Sequence, residues 1–491
     1  MEALSLISAA LTRVVFMALL FFTSHPWPRT EAAKPAQELV KGFEAIPDST
    51  VDSFQTLLAD PDGNFSFGFL RVNRTRLSLA VIHRNLSDPV WVSDPTRSAS
   101  WSGKTRLFFN GSLVITDRSS RVEWSTGTDG DRVVLRNDSN LQVEKTKPSQ
   151  TVVWQSFDFP SNTLVENQNF TSAMTLVSPN GLYSMRLGND FIGLYADDSH
   201  QMYWKHKALE AKAKIEDGSG PVHIRINPNG YLGMYQRGNT PVDVEAFNSF
   251  QRPTTGLLIL RLEPDGNLRG YLWDGSQWAL NYQAISDTCE LPNPCGPYSL
   301  CTPGSGCSCI DKQTRPGPGF GGCTHSTQDQ SDLCDGAPAR FTVLRRNGVE
   351  VPFKELREHK TASSSEECEA FCEEKCECWG SVYNNGSGFC YLVNYPIHTM
   401  LGVADEGKVG YFKLREGVGK GKRWEVGSTV GIAFVCGTVL VLTVAMGFVG
   451  LRVWRRERRV SRILEEDGGL SPGPYKDLGS DSFNSIEMSR R

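Results

Sequence analysis

Three short stretches decide how this chain is read: Val90-Trp91-Val92-Ser93, Val122-Glu123-Trp124-Ser125 and Val153-Trp154-Gln155-Ser156. Their tryptophans lie 33 and 30 residues apart, a period that signals three copies of a supersecondary unit too small to bury its own core. Apolar and polar side chains alternate around them. Phe65, Phe67 and Phe69 share one face of a segment, and Val122 and Trp124 share another with Glu123 opposite. Period two means strands with one buried face. Three small antiparallel sheets, each giving large side chains to a common axis, make a prism.

A second recurrence lies outward from these stretches. Pro61-Asp62-Gly63-Asn64, Pro179-Asn180-Gly181, Pro228-Asn229-Gly230 and Pro264-Asp265-Gly266-Asn267 each precede an alternating segment. Pro fixes φ, Asp or Asn favours a turn and Gly accepts positive φ, so each is a hairpin signal. The copies beyond residue 170 predict a second all-β domain. The 491-residue length has room for several domains, and the fold class expected is mainly β. A net charge of -4 without a basic stripe excludes an electrostatic nucleic-acid binder.

No cysteine precedes Cys289, twelve lie from Cys289 to Cys390, and Cys436 is the last. Such clustering reads as disulfides if the segment sits in an oxidising space. The N-terminus supplies that condition: Arg13 precedes the apolar run Val14 to Phe22, and Ala32 and Ala33 offer a cleavage site, so residues 1–32 read as a signal peptide. Residues 426–451 hold no charge, more than the roughly 20 needed to span a bilayer as a single transmembrane helix. Basic residues flank this segment on both sides, so orientation follows from the cleaved signal. Residues 33–425 are expected outside and the tail, 452–491, in the cytoplasm: a single-pass type I plasma-membrane protein with an extracellular N-terminus. Sequons begin at Asn64, Asn73, Asn85, Asn110, Asn137, Asn169 and Asn385, all on the outer side, and mark N-glycosylation sites.

Cys289, Cys295, Cys301, Cys307, Cys309 and Cys323 lie in a Pro- and Gly-rich stretch unable to build a core, so cross-links must hold it. Zinc is the rival for six such thiols, but an oxidising lumen and the scarcity of nearby histidine weigh against it. Six cysteines alone leave every pairing open. In the second set (Cys334, Cys368, Cys372, Cys376, Cys378, Cys390), Ser364 and Glu367 predict a capping box, and the helix behind it carries Cys368 and Cys372 on one face.

These residues resemble a known family. The stretch from about 43 to 330, above all Val153-Trp154-Gln155-Ser156-Phe157-Asp158-Phe159-Pro160-Ser161-Asn162-Thr163-Leu164, is similar to the plant S-domain, the ectodomain of G-type lectin receptors. Cys368-Glu369-Ala370-Phe371-Cys372 with Cys376-Glu377-Cys378 and Gly388-Phe389-Cys390 resembles a PAN/apple module. The resemblance implies a bulb-type lectin module over 43–168, an S-locus glycoprotein-like β module over 169–284, an EGF-like module over 285–326 and an α+β PAN module over 334–414. Both β modules would then be β-prism-like. It implies the disulfides Cys368–Cys390 and Cys372–Cys378, leaving Cys334 and Cys376 to each other. The chain resembles the kinase-lacking, PAN domain-containing members of this group. The tail of 40 residues is too short for a kinase.

No His-Glu-x-x-His, Gly-x-Ser-x-Gly or kinase motif occurs, and a non-enzymatic protein without metal or cofactor is expected. The family's mannose motif, Gln-x-Asp-x-Asn-x-Val-x-Tyr, puts five side chains on one strand face. Phe108, Asn110, Ser112, Val114 and Thr116 retain only its Val. Arg136, Asp138, Asn140, Gln142 and Glu144 keep Asp and Asn. Glu263, Asp265, Asn267, Arg269 and Tyr271 keep three, although in the second domain. The candidate carbohydrate-binding residues are therefore Asp138, Asn140, Asp265, Asn267 and Tyr271. Expected partners are an extracellular glycan or protein ligand and a kinase-bearing co-receptor. Membrane lipid contacting the Arg452–Arg462 cluster, and a homodimer or heterodimer through Gly427-x-x-x-Gly431, complete the list. The alternative to a receptor is a structural adhesion protein linking plasma membrane to wall polysaccharide.

Overall fold

The computed structural model describes residues 35–415 apart from 87, 118, 197–199, 209–221, 253–255, 312–322, 324–340 and 395–396, together with 442–452, 454 and 455. The signal segment, most of the expected span, most of the tail and Cys334 lie outside the described residues.

The tryptophan period builds three antiparallel sheets, the first of five strands, with Ala99–Ser100 beside Arg76–His83, and the other two of four. Each ends on a tryptophan strand: Trp91–Val92 after Phe54–Ala59, Phe65–Asn73 and Arg76–His83; Val122–Ser125 after Arg106–Phe109 and Leu113–Thr116; Thr151–Gln155 after Arg132–Leu135 and Leu141–Lys145. The missing strands of the second and third sheets come from the N-terminus. Phe43–Ala45 pairs with Arg106–Phe109, and Glu38–Val40 pairs with Arg132–Leu135. On the axis Trp91, Trp124 and Trp154 meet edge to face, with centroids 5.9 to 6.1 Å apart. That arrangement favours the ring quadrupoles, by about 0.5–1.5 kcal/mol per pair beyond burial.

The second domain repeats this topology. Thr163–Val165, Phe170–Thr171 and Leu176–Val177 each start a different sheet, assigned in reverse order, and three sets of three strands then complete the sheets in chain order. Its core is aliphatic and tyrosine-rich, with Phe170, Met185, Leu194, Ile224, Leu260 and Leu268 fully buried. The reverse-order lead strands are the shared device: one short segment crosses every face of the prism and closes all three sheets.

Residues 289–310 form a hairpin, Ser299–Thr302 with Gly306–Cys309, cross-linked by Cys289–Cys301 and Cys295–Cys307, while Cys309 bonds Cys323. The hairpin joins the next module directly: Ser299–Thr302 runs parallel to Met400–Gly402. Leu300 and Ile310 share a core with Val349, Trp379 and Phe412. The C-terminal module has a five-stranded antiparallel sheet under the helix Ser365–Glu373. Ser364 Oγ accepts from the amide of Glu367, and Glu367 Oε2 accepts from the amide of Ser363 at 2.6 Å, so both sides of the cap are closed. Cys368 bonds Cys390 and Cys372 bonds Cys378. Cys376 is also disulfide-bonded.

A separate unit begins at Gly417. Its described part, 442–452, is helical with Leu442, Val444, Met446, Phe448 and Val449 exposed. Among the described residues no helix is long and apolar enough to cross a membrane, and residues 426–441 of the expected span lie outside them.

Candidate functional site

The mannose-motif positions come first. Asp138 and Asn140 sit in the turn leading into Leu141–Lys145, and Asp138 Oδ1 accepts from the amide of Asn140 at 3.0 Å. Asn140 is 4% exposed. Its Nδ2 donates to Gln155 Oε1 at 2.9 Å, and its Oδ1 accepts from Ser156 Oγ at 3.3 Å. These bonds tie the turn to the last tryptophan strand. Arg136 and Glu144 stand where the motif has Gln and Tyr, and they pair with each other. Glu144 is fully buried and takes a second bond from Arg132 at 2.9 Å. Two guanidinium groups therefore satisfy one buried carboxylate, the condition for burying such a charge. The face that would hold a sugar is occupied by its own ion pairs.

The second-domain set behaves alike. Tyr271 Oη donates to Glu263 Oε1 at 2.7 Å, and Arg269 bonds Asp265 at 2.6 Å. Burial, then the neighbouring Glu263, pushes the Tyr271 hydroxyl well above its ordinary value. Asn267 is 2% exposed, donates to the carbonyl of Ile285 at 2.7 Å and accepts from its amide at 3.1 Å. The strands bring together Asp138 with Asn140, and Asp265 with Asn267 and Tyr271. The two groups serve different prisms and do not form one site.

Geometry points elsewhere. The two prisms enclose a cleft of about 500 Å3 lined by Val72, Asp88 and Arg97 from the first and Ser161, Arg261 and Glu263 from the second. Arg261 is 5% exposed. It stitches the domains: Nε donates to Thr163 Oγ1 at 3.1 Å, Nη1 to Asp88 Oδ2 at 3.3 Å and Nη2 to the carbonyl of Pro89 at 3.2 Å. Ser161 is 2% exposed, and its hydroxyl is buried without a hydrogen-bond partner among the described residues. Sequence reasoning missed this cleft because its residues are spread from 70 to 264. The signal available was Ser161-Asn162, inside the most family-specific stretch.

Residues 88–186 match the D-mannose binding lectin family, 235–314 the S-locus glycoprotein domain and 343–414 the PAN domain. A PAN domain-containing protein of Arabidopsis thaliana is 70% identical over the full length of both chains. The chain belongs to this PAN domain-containing, lectin-like family. The G-type lectin S-receptor-like serine/threonine-protein kinase SD2-5 of the same plant is 25% identical over 96% of this chain, which spans 60% of that kinase. A second such kinase of Arabidopsis is 24% identical over 86% of the chain and 55% of its own length. The chain thus spans little more than half of these receptor kinases. This PAN domain-containing lectin-like chain carries the family's lectin, S-locus glycoprotein and PAN domains in that order.

Proposed function

We propose that this protein is a cell-surface receptor-like glycoprotein that recognises an extracellular carbohydrate or protein ligand and acts through partner receptors, a kinase-bearing co-receptor among them, without catalysis of its own. It sits in the plasma membrane as a single-pass type I protein, anchored through 426–451; the exposed apolar helix over 442–452 supports this, since a helix apolar all round needs protein or lipid to cover it. The observation that carries the recognition site is the contrast between self-paired motif positions and the open cleft between the prisms. About 500 Å3 lies within the usual range for a specific ligand site. Val72 and Val177 offer apolar contact and Arg97 and Glu263 offer charge, a mixture that suits a short run of sugar units or an extended peptide. Reciprocal immunoprecipitation from plant membranes tests the partner claim. Kinase-bearing receptors should co-purify with the wild-type chain, and their absence from every such precipitate would refute it.

A further inference from the structure

The seam between the prisms holds a second, smaller pocket of about 300 Å3, lined by Asn64, Phe65, His83 and Asn137 of the first prism and Trp273 and Asp274 of the second. His83 is 4% exposed. It is boxed by Phe65, Trp273 and Trp278 at centroid distances of 5.2 to 5.5 Å. Its Nδ1 accepts from the amide of Asn85 at 3.3 Å, which puts the proton of the neutral ring on Nε2. That N–H meets no acceptor among the described residues. Asp274 Oδ1 accepts from the amides of Ser276 and Gln277 and from Ser276 Oγ in its turn, and the carboxylate stands on the pocket wall. The pocket thus offers aromatic ring faces, one buried donor and one carboxylate acceptor. Ring faces meet the C–H edges of a pyranose, while donor and acceptor meet its hydroxyls and amide.

Asn64 begins the sequon Asn64-Phe65-Ser66 and differs from the other six sequon asparagines. Those are exposed; Asn64 is half-buried, on the pocket wall. Its side-chain amide makes no hydrogen bond to a described residue. A sugar joined to that amide starts inside the pocket.

We infer that Asn64 carries an N-linked glycan whose first N-acetylhexosamine is seated in this pocket against Trp273 and His83, so that the glycan joins the two prisms. Attachment in the secretory lumen forms a bond between Asn64 Nδ2 and the sugar's C1. It displaces the lipid diphosphate of the donor and leaves one N–H on the amide. The inference is independent of what the larger cleft binds.

The test uses full-length glycoprotein purified from plant membranes in detergent, treated with peptide-N-glycosidase in heavy-oxygen water and mapped by mass spectrometry, folded and denatured. Asn64 should be occupied and, in the folded protein, released about tenfold more slowly than Asn73, which is exposed and outside the pocket, the factor that one stacking contact supplies. Both sites should be released alike after denaturation. Trp273→Ala and the milder Asp274→Ala should each speed release at Asn64 and leave the other sites unchanged. Ser66→Ala, which removes the glycan and keeps Asn64, should lower the thermal midpoint of the prisms. An unmodified Asn64, or release at Asn64 as fast as at Asn73 in the folded wild type, would overturn the inference. So would slow release that neither pocket variant changes, because that marks simple crowding.

Discussion

The first prism contains no cysteine and is held by Trp91, Trp124 and Trp154 on its axis, with Phe67, Leu77, Leu107, Val133 and Leu141 fully buried around them. The disulfide-linked hairpin beside the PAN module has almost no such core and carries Cys289–Cys301, Cys295–Cys307 and Cys309–Cys323 instead. The difference follows from chain length per buried surface. About 120 residues folded into three sheets remove enough apolar area from water to offset the entropy of ordering, and a segment near 40 residues does not. One half of the exterior is therefore stable by packing and the other by covalent restraint of its unfolded state.

The sharpest way to break this comparison is reduction. Under a strong thiol reductant, the region from Cys289 to Arg415 should become sensitive to limited proteolysis while residues 38–284 stay protected; each lost disulfide costs about 2–5 kcal/mol. Equal loss of protection on both sides of Cys289 would mean the prisms depend on the staples. The complementary cut is Trp154→Ala, expected to cost about 3–5 kcal/mol in denaturant unfolding followed by tryptophan fluorescence. The PAN disulfides should remain formed in that variant.

A smaller effect separates packing from sugar binding. Arg136→Ala leaves Glu144 with Arg132 and Gln150 and should destabilise by about 1–3 kcal/mol, with no change in retention on mannose resin. A gain or loss of mannose retention would show that this face binds sugar after all.

The smallest effect distinguishes the prisms from each other. In the second, His206 Nε2 meets Asp243 at 2.7 Å and Nδ1 meets Glu245 at 3.0 Å, joining two sheets. Both ring nitrogens face carboxylates, so the bridge requires the cation. Glu245 first, and Asp243 with it, raise the folded-state value of His206 above the ordinary imidazole range, against the opposing effect of burial. Stability from a raised histidine is complete below the unfolded value, about 6.5, and is lost as pH climbs through the folded value. The thermal midpoint of the second prism should fall as pH rises above about 6.5, and His206→Gln should flatten that dependence. A midpoint that rises over this interval, or an unchanged slope in the variant, would contradict the bridge.

The prism was legible because Trp91, Trp124 and Trp154 are large, regularly spaced and set in alternating strands. The capping box at Ser364 and Glu367 was legible because its partners are three residues apart. The lead strands were not, because Phe43–Ala45, Phe170–Thr171 and Leu176–Val177 have two or three residues each, too few for any period to show. The second prism lacks the tryptophan triad, so it was expected from the family resemblance and the turn signals, while the reverse-order exchange of lead strands that both prisms share was not. Of the candidate sugar positions, sequence located the strand faces and showed Arg136 and Glu144 as departures. Only coordinates show that these two pair with each other. The cleft was invisible in sequence, since Asp88 and Arg261 meet across 173 positions of chain.

The most direct test of the central claim is binding of the glycosylated full-length protein in detergent to two panels, plant glycans and co-expressed receptor ectodomains, beside the variant Val72→Trp. Val72 is exposed on the cleft wall, so the larger ring should fill the site without disturbing the core. The account predicts at least one ligand in either panel and its loss in the variant. Two blank panels, or a ligand that Val72→Trp leaves untouched, would contradict it.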